Sequence, residues 1–150
     1  MLINHCKKQY IRKKPKTNTY RDFEKKLDRV FSEYIRLSKS NDGYCTCVTC
    51  GNIHHWKEIH NGHFISRSVK ATRFNEINCN PQCVRCNSFR QGEHHIYRKY
   101  LINKYGEKTI EDLENTAHLG GSYSAYDLEN MISEYKEKVR KLKIEVDNGN

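Results

Sequence analysis

Apolar residues are scarce in this chain. Hydrophobic side chains make up 36% of its 150 residues and charged ones 30%. That balance excludes a large buried core and leaves a small one in need of a metal or cross-links. No apolar run approaches the length of about 18 residues that marks a membrane span. The first residues lack the apolar stretch and small-residue cleavage site of a secretory signal, so the expectation is a cytosolic protein. In that compartment the seven cysteines point to metal ligation rather than disulfides. Internal repeats are missing, and so is low-complexity sequence outside one basic stretch.

Acid is also under-represented. Lys and Arg number 27 against 18 Asp and Glu, a formal charge of +9. Such an excess calls for a polyanionic partner, most simply nucleic acid. Residues 7–16 hold Lys7, Lys8, Arg12, Lys13, Lys14 and Lys16 without one acid. A solvated tail of this kind can neutralise phosphates, Lys13 and Lys14 among its contacts. It has no apolar face to insert into a bilayer, so a membrane partner is not expected.

The basic tail covers residues 1–18, and residues 19–150 are read as a single domain. Phe23, Leu27, Val30, Phe31, Tyr34 and Leu37 recur three or four apart, predicting a helix over 19–39 with Thr19 as N-cap. Asn41-Asp42-Gly43 ends it with turn chemistry. Residues 44–95 hold six of the seven cysteines and most of the histidines. A further helix is expected over 88–105, where Tyr97, Tyr100, Leu101 and Tyr105 form a stripe stopped at Gly106. Thr109 with Asp112 resembles a capping box for a short helix, and Gly120-Gly121 breaks the chain. In the C-terminal helical region, about 107–147, Leu128, Ile132, Tyr135, Val139, Leu142 and Val146 then alternate at spacings of four and three. Two readings fit that stripe: packing on the 19–39 helix, or the seam of a homodimer.

The strongest local signal is Cys47-Val-Thr-Cys50 and Cys83-Val-Arg-Cys86. Each pair folds into a tight turn that presents two thiolates, and two such turns complete the tetrahedral shell of structural zinc. Gly51 follows the first pair, where a turn around a metal commonly needs a positive φ. Four thiolates leave no open position, so zinc would build the site rather than react in it. A redox dithiol would want a strand–helix context that is missing here. Cys6, Cys45 and Cys79 remain as small buried or free thiols.

The segment between the pairs is longer than a plain zinc ribbon needs. Residues 56–66 read as two short strands about Gly62, and Asn87-Ser88 as a helix start, giving strand, strand, helix. Taken singly, His63 beside Phe64 reads as a packed histidine, Asn87 as an N-cap and Asn78 as a loop residue satisfying its own backbone. Together, His63, Asn78 before Cys83 and Asn87 after Cys86 match the His–Asn–Asn form of the HNH, or ββα-metal, nucleases. The zinc-clamped layout resembles phage endonuclease VII. VFSEYIR (30–36), CVTCG (47–51), HNGHF (60–64), RFNEIN (73–78), QCVRCN (82–87) and YRKYLI (97–102) resemble, in order, the NinG (Rap) recombination proteins of lambdoid phages.

That resemblance implies an α+β, mainly helical fold: a zinc-clamped ββα-metal (HNH) core at about 44–105, flanked by an N-terminal helix and a long C-terminal helix. It implies a DNA endonuclease acting on branched intermediates such as Holliday junctions or D-loops, phage- or prophage-encoded and working in the bacterial host cytoplasm. His63 would be the general base, Asn78 would position it, and Asn87 would ligate a catalytic Mg²⁺ or Mn²⁺. Many HNH enzymes carry an Asp just before the base; here that position is Gly62, and His60 is the candidate replacement ligand. His94 and His95 are alternatives further along. Arg67, Arg73, Arg85 and Arg90 offer phosphate contacts. The competing expectations are an HNH nicking or restriction enzyme on duplex DNA, and a zinc-stabilised DNA-binding module without catalysis.

Overall fold

The computed structural model describes residues 18–148. Lys13, Lys14, Cys6 and the rest of the basic tail before Asn18 lie outside them. Helix α1 spans Tyr20–Ser38, with Thr19 in extended conformation as its N-cap. The Thr19 hydroxyl accepts from the Asp22 N–H at 3.3 Å and the Asp22 carboxylate accepts from the Thr19 N–H at 2.9 Å, so two otherwise unpaired donors are satisfied reciprocally. Leu27, Val30, Phe31 and Ile35 bury one face of α1.

What covers that face is α4, Ala125–Asn148. Leu128, Ile132, Tyr135 and Val139 are buried, with Leu142 and Val146 packed at the edge of the same cluster. Phe31 meets Tyr135 edge-on at 4.9 Å and Phe74 at 5.7 Å, a favoured aromatic geometry. The C-terminal stripe is therefore consumed within the chain. The dimer-seam reading of it gives way, because the apolar face of α1 needs the same residues.

In chain order, two small antiparallel sheets come between the two long helices. β1 (Tyr44–Thr46) pairs with β2 (Ile53–His55), and β3 (His60–His63) with β4 (Cys79–Gln82). The expectation of two strands turning about Gly62 is overturned. Gly62 lies inside β3 opposite Asn80, and the partner strand arrives only after the loop 64–78. Glycine is required there for close approach: a Cβ at Gly62 would lie 2.5 Å from Gln82 Oε1 and 2.8 Å from Gln82 Cβ.

The predicted 88–105 helix is two pieces. A single wide helical turn, Arg85–Phe89, closes with Arg90 N–H donating to Arg85 O at 3.0 Å. Gln91, Gly92 and Glu93 then all take positive φ and break the path before α2, His94–Tyr105. Asn87 sits within that turn, not at a helix cap; its N–H donates to Cys83 O at 2.9 Å. The capping-box reading of Thr109 and Asp112 also falls. Helix α3 begins earlier, Glu107–Leu119 with Gly106 as N-cap, and Asp112 pairs with Lys108 at 2.6 Å. A second cluster of Phe64, Tyr97, Leu101, Ile110 and Leu113 lies under α2 and α3, and Tyr97 Oη donates to Gly62 O at 2.9 Å, tying α2 to β3.

The fold is thus α+β and mainly helical, with strand, strand, helix in order at its centre. Among the described residues no helix is long and apolar enough to cross a membrane. Because Phe31 is 1% exposed and joins α1, α4 and the loop 64–78, Phe31→Ala is expected to cost about 3–5 kcal/mol, measured by denaturant unfolding.

Candidate functional site

The sulfurs of Cys47, Cys50, Cys83 and Cys86 lie within 4.8 Å of one another, and Cys50 Sγ to Cys83 Sγ is 3.8 Å. A tetrahedron with metal–sulfur bonds of about 2.3 Å has edges of about 3.8 Å, so the cluster has the size a zinc-like ion needs. Local backbone sets each half. Gly51 takes φ +76 and its N–H donates to Cys47 O at 2.9 Å, closing the first turn. The Cys83 N–H donates to Cys47 Sγ at 3.3 Å, bringing the second pair onto the first. Burial opposes a thiolate at Cys47, yet the Thr49 hydroxyl and the N–H groups of Cys83, Cys50 and Thr49 outweigh it and bring this thiol down to about 6. Gln82 Nε2 holds Thr49 Oγ1 at 3.3 Å and Gly92 O at 2.7 Å, linking the clamp to the entry of α2. Cys45 and Cys79 stand outside the cluster. Their thiols reach Arg36 O and Arg73 O, and burial pushes them up to about 11 and about 12. They are buried neutral thiols, as the sequence suggested.

Beside the clamp, a cleft of about 310 Å³ is lined by Asp28 and Ser32 of α1, Asn61 and His63 of β3, and Ser66, Arg67 and Asn87. His63 Nε2 lies 3.0 Å from Arg73 O. A carbonyl only accepts, so Nε2 carries the proton and Nδ1 keeps its lone pair. Burial lowers the His63 pKa from its ordinary value, against the bond to Arg73 O and the charge of Asp28, which raise it.

The carbonyl that fixes His63 is itself anchored. The Arg73 guanidinium donates through Nε to Asp28 Oδ1 at 2.9 Å and through Nη2 to Asp28 Oδ2, and Nη1 sits 3.5 Å from Glu24 Oε1. Asn78 is fully buried. Its Nδ2 donates to Ile65 O and Thr72 O, each at 3.0 Å, and its Oδ1 accepts from the Ile65 N–H at 2.7 Å. Both ends of the loop 64–78 are thereby held together under Arg73.

The structure thus brings His63, Asn87 and Arg67 onto one cleft. His60 stands on an adjoining cleft that Asn87 and Arg67 also line, and Asn87 Nδ2 lies 3.1 Å from His60 Nδ1. The remaining predicted residues stand apart from the His63 cleft. Arg73 is no free phosphate contact, because two α1 carboxylates hold it. Arg90 pairs with Glu93 at 2.9 Å, and Arg85 is exposed on the turn and lines neither cleft. His94 stacks on Phe64 at 4.4 Å, and neither it nor the exposed His95 lines the cleft. Asp28, Ser32 and Asn61 were not anticipated. The only sequence signal for the first two is that Glu24, Asp28 and Ser32 recur every fourth residue, one polar edge of a helix.

The clamp makes a direct forecast. Cys83→Ser should abolish stoichiometric zinc binding and lose the cooperative thermal transition of the central region, read by metal analysis and calorimetry; a zinc-free variant that melts like the parent would contradict it.

Several phage proteins resemble this chain in sequence. The description "Bacteriophage Lambda NinG protein" fits residues 4–145. The ninG protein of Escherichia phage lambda is 26% identical over 122 residues, which cover 79% of this chain and 56% of that protein. Those of Escherichia phage 933W and Salmonella phage P22 are 25% identical over 122 residues, covering 79% of this chain and 57% of theirs. The chain spans just over half the length of these relatives. No solved structure matches it. With the family pattern running across almost its whole length, the chain belongs to the NinG family.

Proposed function

We propose that this protein is a zinc-stabilised, divalent-metal-dependent HNH endonuclease that hydrolyses phosphodiester bonds in DNA, with branched recombination intermediates such as Holliday junctions or D-loops as substrates. One observation carries the reading: an imidazole with a fixed tautomer and an amide at the edge of a four-cysteine clamp line the same cleft. The order β3, β4, helical turn agrees with the ββα-metal layout. The preference for branched DNA rests on the likeness to phage recombination proteins.

The chemistry follows from the residues. His63 Nδ1 takes a proton from water as the water oxygen bonds to phosphorus and the bond to the 3′ oxygen breaks; the departing oxygen takes a proton from solvent, leaving a 5′-phosphate and a 3′-hydroxyl. Burial keeps the ring neutral, the form a base requires. Asn78 is a positioning residue that holds the loop whose Arg73 carbonyl orients the ring. Asn87 gives its Nδ2–H to His60, which leaves the Asn87 carbonyl oxygen as a hard donor. That oxygen would hold Mg²⁺ or Mn²⁺, with His60 joining through Nδ1 once the Asn87 N–H releases it, and the charge of the ion would stabilise the phosphate and the leaving oxygen.

Gly62 supports a second reading, a DNA-binding module without catalysis. Asp is absent where HNH enzymes often use it, and Gln82 leaves no room for a Cβ there. One assay separates the readings: a four-way junction and a matched linear duplex, each with Mg²⁺ or Mn²⁺ and with EDTA. Metal-dependent cuts at the junction are expected. Equal cutting of both substrates assigns a duplex nicking enzyme, and binding without cuts assigns the non-catalytic module.

His63→Ala should slow cleavage by about 10²–10⁴-fold while DNA affinity holds, read by single-turnover kinetics. Because burial places the His63 pKa below the ordinary imidazole value of about 6.5, the rate should persist as pH falls through that value and decline only at lower pH; a decline starting above it would count against His63. Asn78→Ala strands the N–H and the carbonyl of Ile65, while Thr72 O keeps the Asn75 N–H; at about 1–3 kcal/mol for each group left unpaired, it should lower the rate together with the melting temperature.

A further inference from the structure

The adjoining cleft, about 420 Å³, shares Ser32, Asn61, Arg67 and Asn87 with the His63 cleft and continues it past His60. Its lining is almost wholly polar, with Ile59 the one apolar contributor, so an apolar ligand does not fit. Arg36, Lys57 and Arg67 face a single carboxylate there, Glu58.

Arg36 is the unusual member. It is half-buried in α1, and among the described residues no carboxylate pairs with it. Nε donates to Ser32 O at 3.0 Å and Nη1 to Trp56 O at 3.1 Å, which leaves Nη2 and one N–H of Nη1 without a partner. Burial pulls this guanidinium below its ordinary pKa. A half-buried, unpaired guanidinium in a polar cleft carries an electrostatic cost that an anion would relieve. Trp56, itself 8% exposed, fixes the pair of cations beside it: Arg36 Cζ lies 5.8 Å and Lys57 Nζ 5.4 Å from its ring centroid.

We infer that this second cleft is a phosphate-binding subsite, in which Arg36 and Lys57, with Arg67 on the shared wall, hold a backbone phosphate next to the one presented to His63 on the same DNA strand. Its place beside the scissile phosphate rests on the His63 cleft being the cleavage site; the subsite itself stands on the cations and their cleft. Lys57 carries no motif signal, and Arg36 stands in the sequence only as the last residue of VFSEYIR. They meet only because Trp56 packs under α1.

The test measures binding and cleavage separately, on the full chain and a labelled four-way junction. Lys57→Gln removes an exposed cation and leaves the Trp56 packing in place. Arg36→Lys keeps the charge but loses the planar fork. Each is expected to weaken junction binding roughly tenfold near 0.1 M salt, and Lys57→Gln to reduce the slope of log affinity against log salt by about 1, the signature of one lost phosphate contact. Lys141→Gln on α4, which lines neither cleft, should leave both quantities unchanged, with zinc content and melting temperature confirming the fold of each variant. Unchanged affinity and slope in both Lys57→Gln and Arg36→Lys would overturn the subsite even if the parent cleaves DNA. Conversely, the expected binding losses in a parent that binds but never cleaves would keep the subsite and overturn the nuclease reading.

Discussion

Four converging sulfurs are the constraint on which the rest depends. The apolar residues form two separate clusters, one between α1 and α4 and one under α2 and α3. Neither is large. Cys47, Cys83 and Cys86 belong to the first cluster, and the turn that leaves Cys86 leads to α2 of the second. A metal held at this point would cross-link the exit of β1, the exit of β4 and the approach to α2. Burial alone could not fix those three against one another, because the strands are only three or four residues long.

A second set of ties fixes the loop 64–78, and it reaches the cleft through α1. Arg73 is held by Glu24 and Asp28. Glu76 accepts from Tyr34 Oη at 3.1 Å and Tyr135 Oη at 2.9 Å, one tyrosine from each long helix. At the end of α1, Lys39 Nζ donates to Glu76 O, Cys79 O and Asn80 Oδ1 at 2.8, 2.6 and 2.8 Å. Burial pulls that ammonium down to about 8, and its three oxygen partners are what allow it to stay inside. The packing of α1 on α4 therefore does more than build a core. It sets where the Arg73 carbonyl stands, and so which nitrogen of His63 carries the proton.

Some of this was legible in the residues before any coordinates. Helices α1 and α4 were, since periodicity over five or more turns is a local property and Thr19 marks the start of α1 by its own chemistry. The clamp was, since each C-x-x-C turn is complete within a few residues. Asn78 and Asn87 stood out only through the family likeness; alone, Asn78 was an ordinary loop residue and Asn87 a helix N-cap. The β3–β4 pairing was misread because Gly62 looks like a turn. Its real reason, the Gln82 side chain against its Cα, lies 20 residues further on. The broken 88–105 helix was missed because nothing in Gln91 or Glu93 announces a left-handed conformation.

The division is physical. The amino-acid order by itself settled what short-range forces decide: two amphipathic helices, two thiolate turns and an excess of positive charge seeking an anion. Tertiary structure decided everything that needed two distant segments to meet. It turned Arg73 from a candidate DNA contact into an anchor, gave the C-terminal stripe to α1, and set Asp28, Arg36 and Lys57 around the clefts. A charged side chain takes its role from the nearest opposite charge or carbonyl, and that neighbour is chosen by folding rather than by position along the chain.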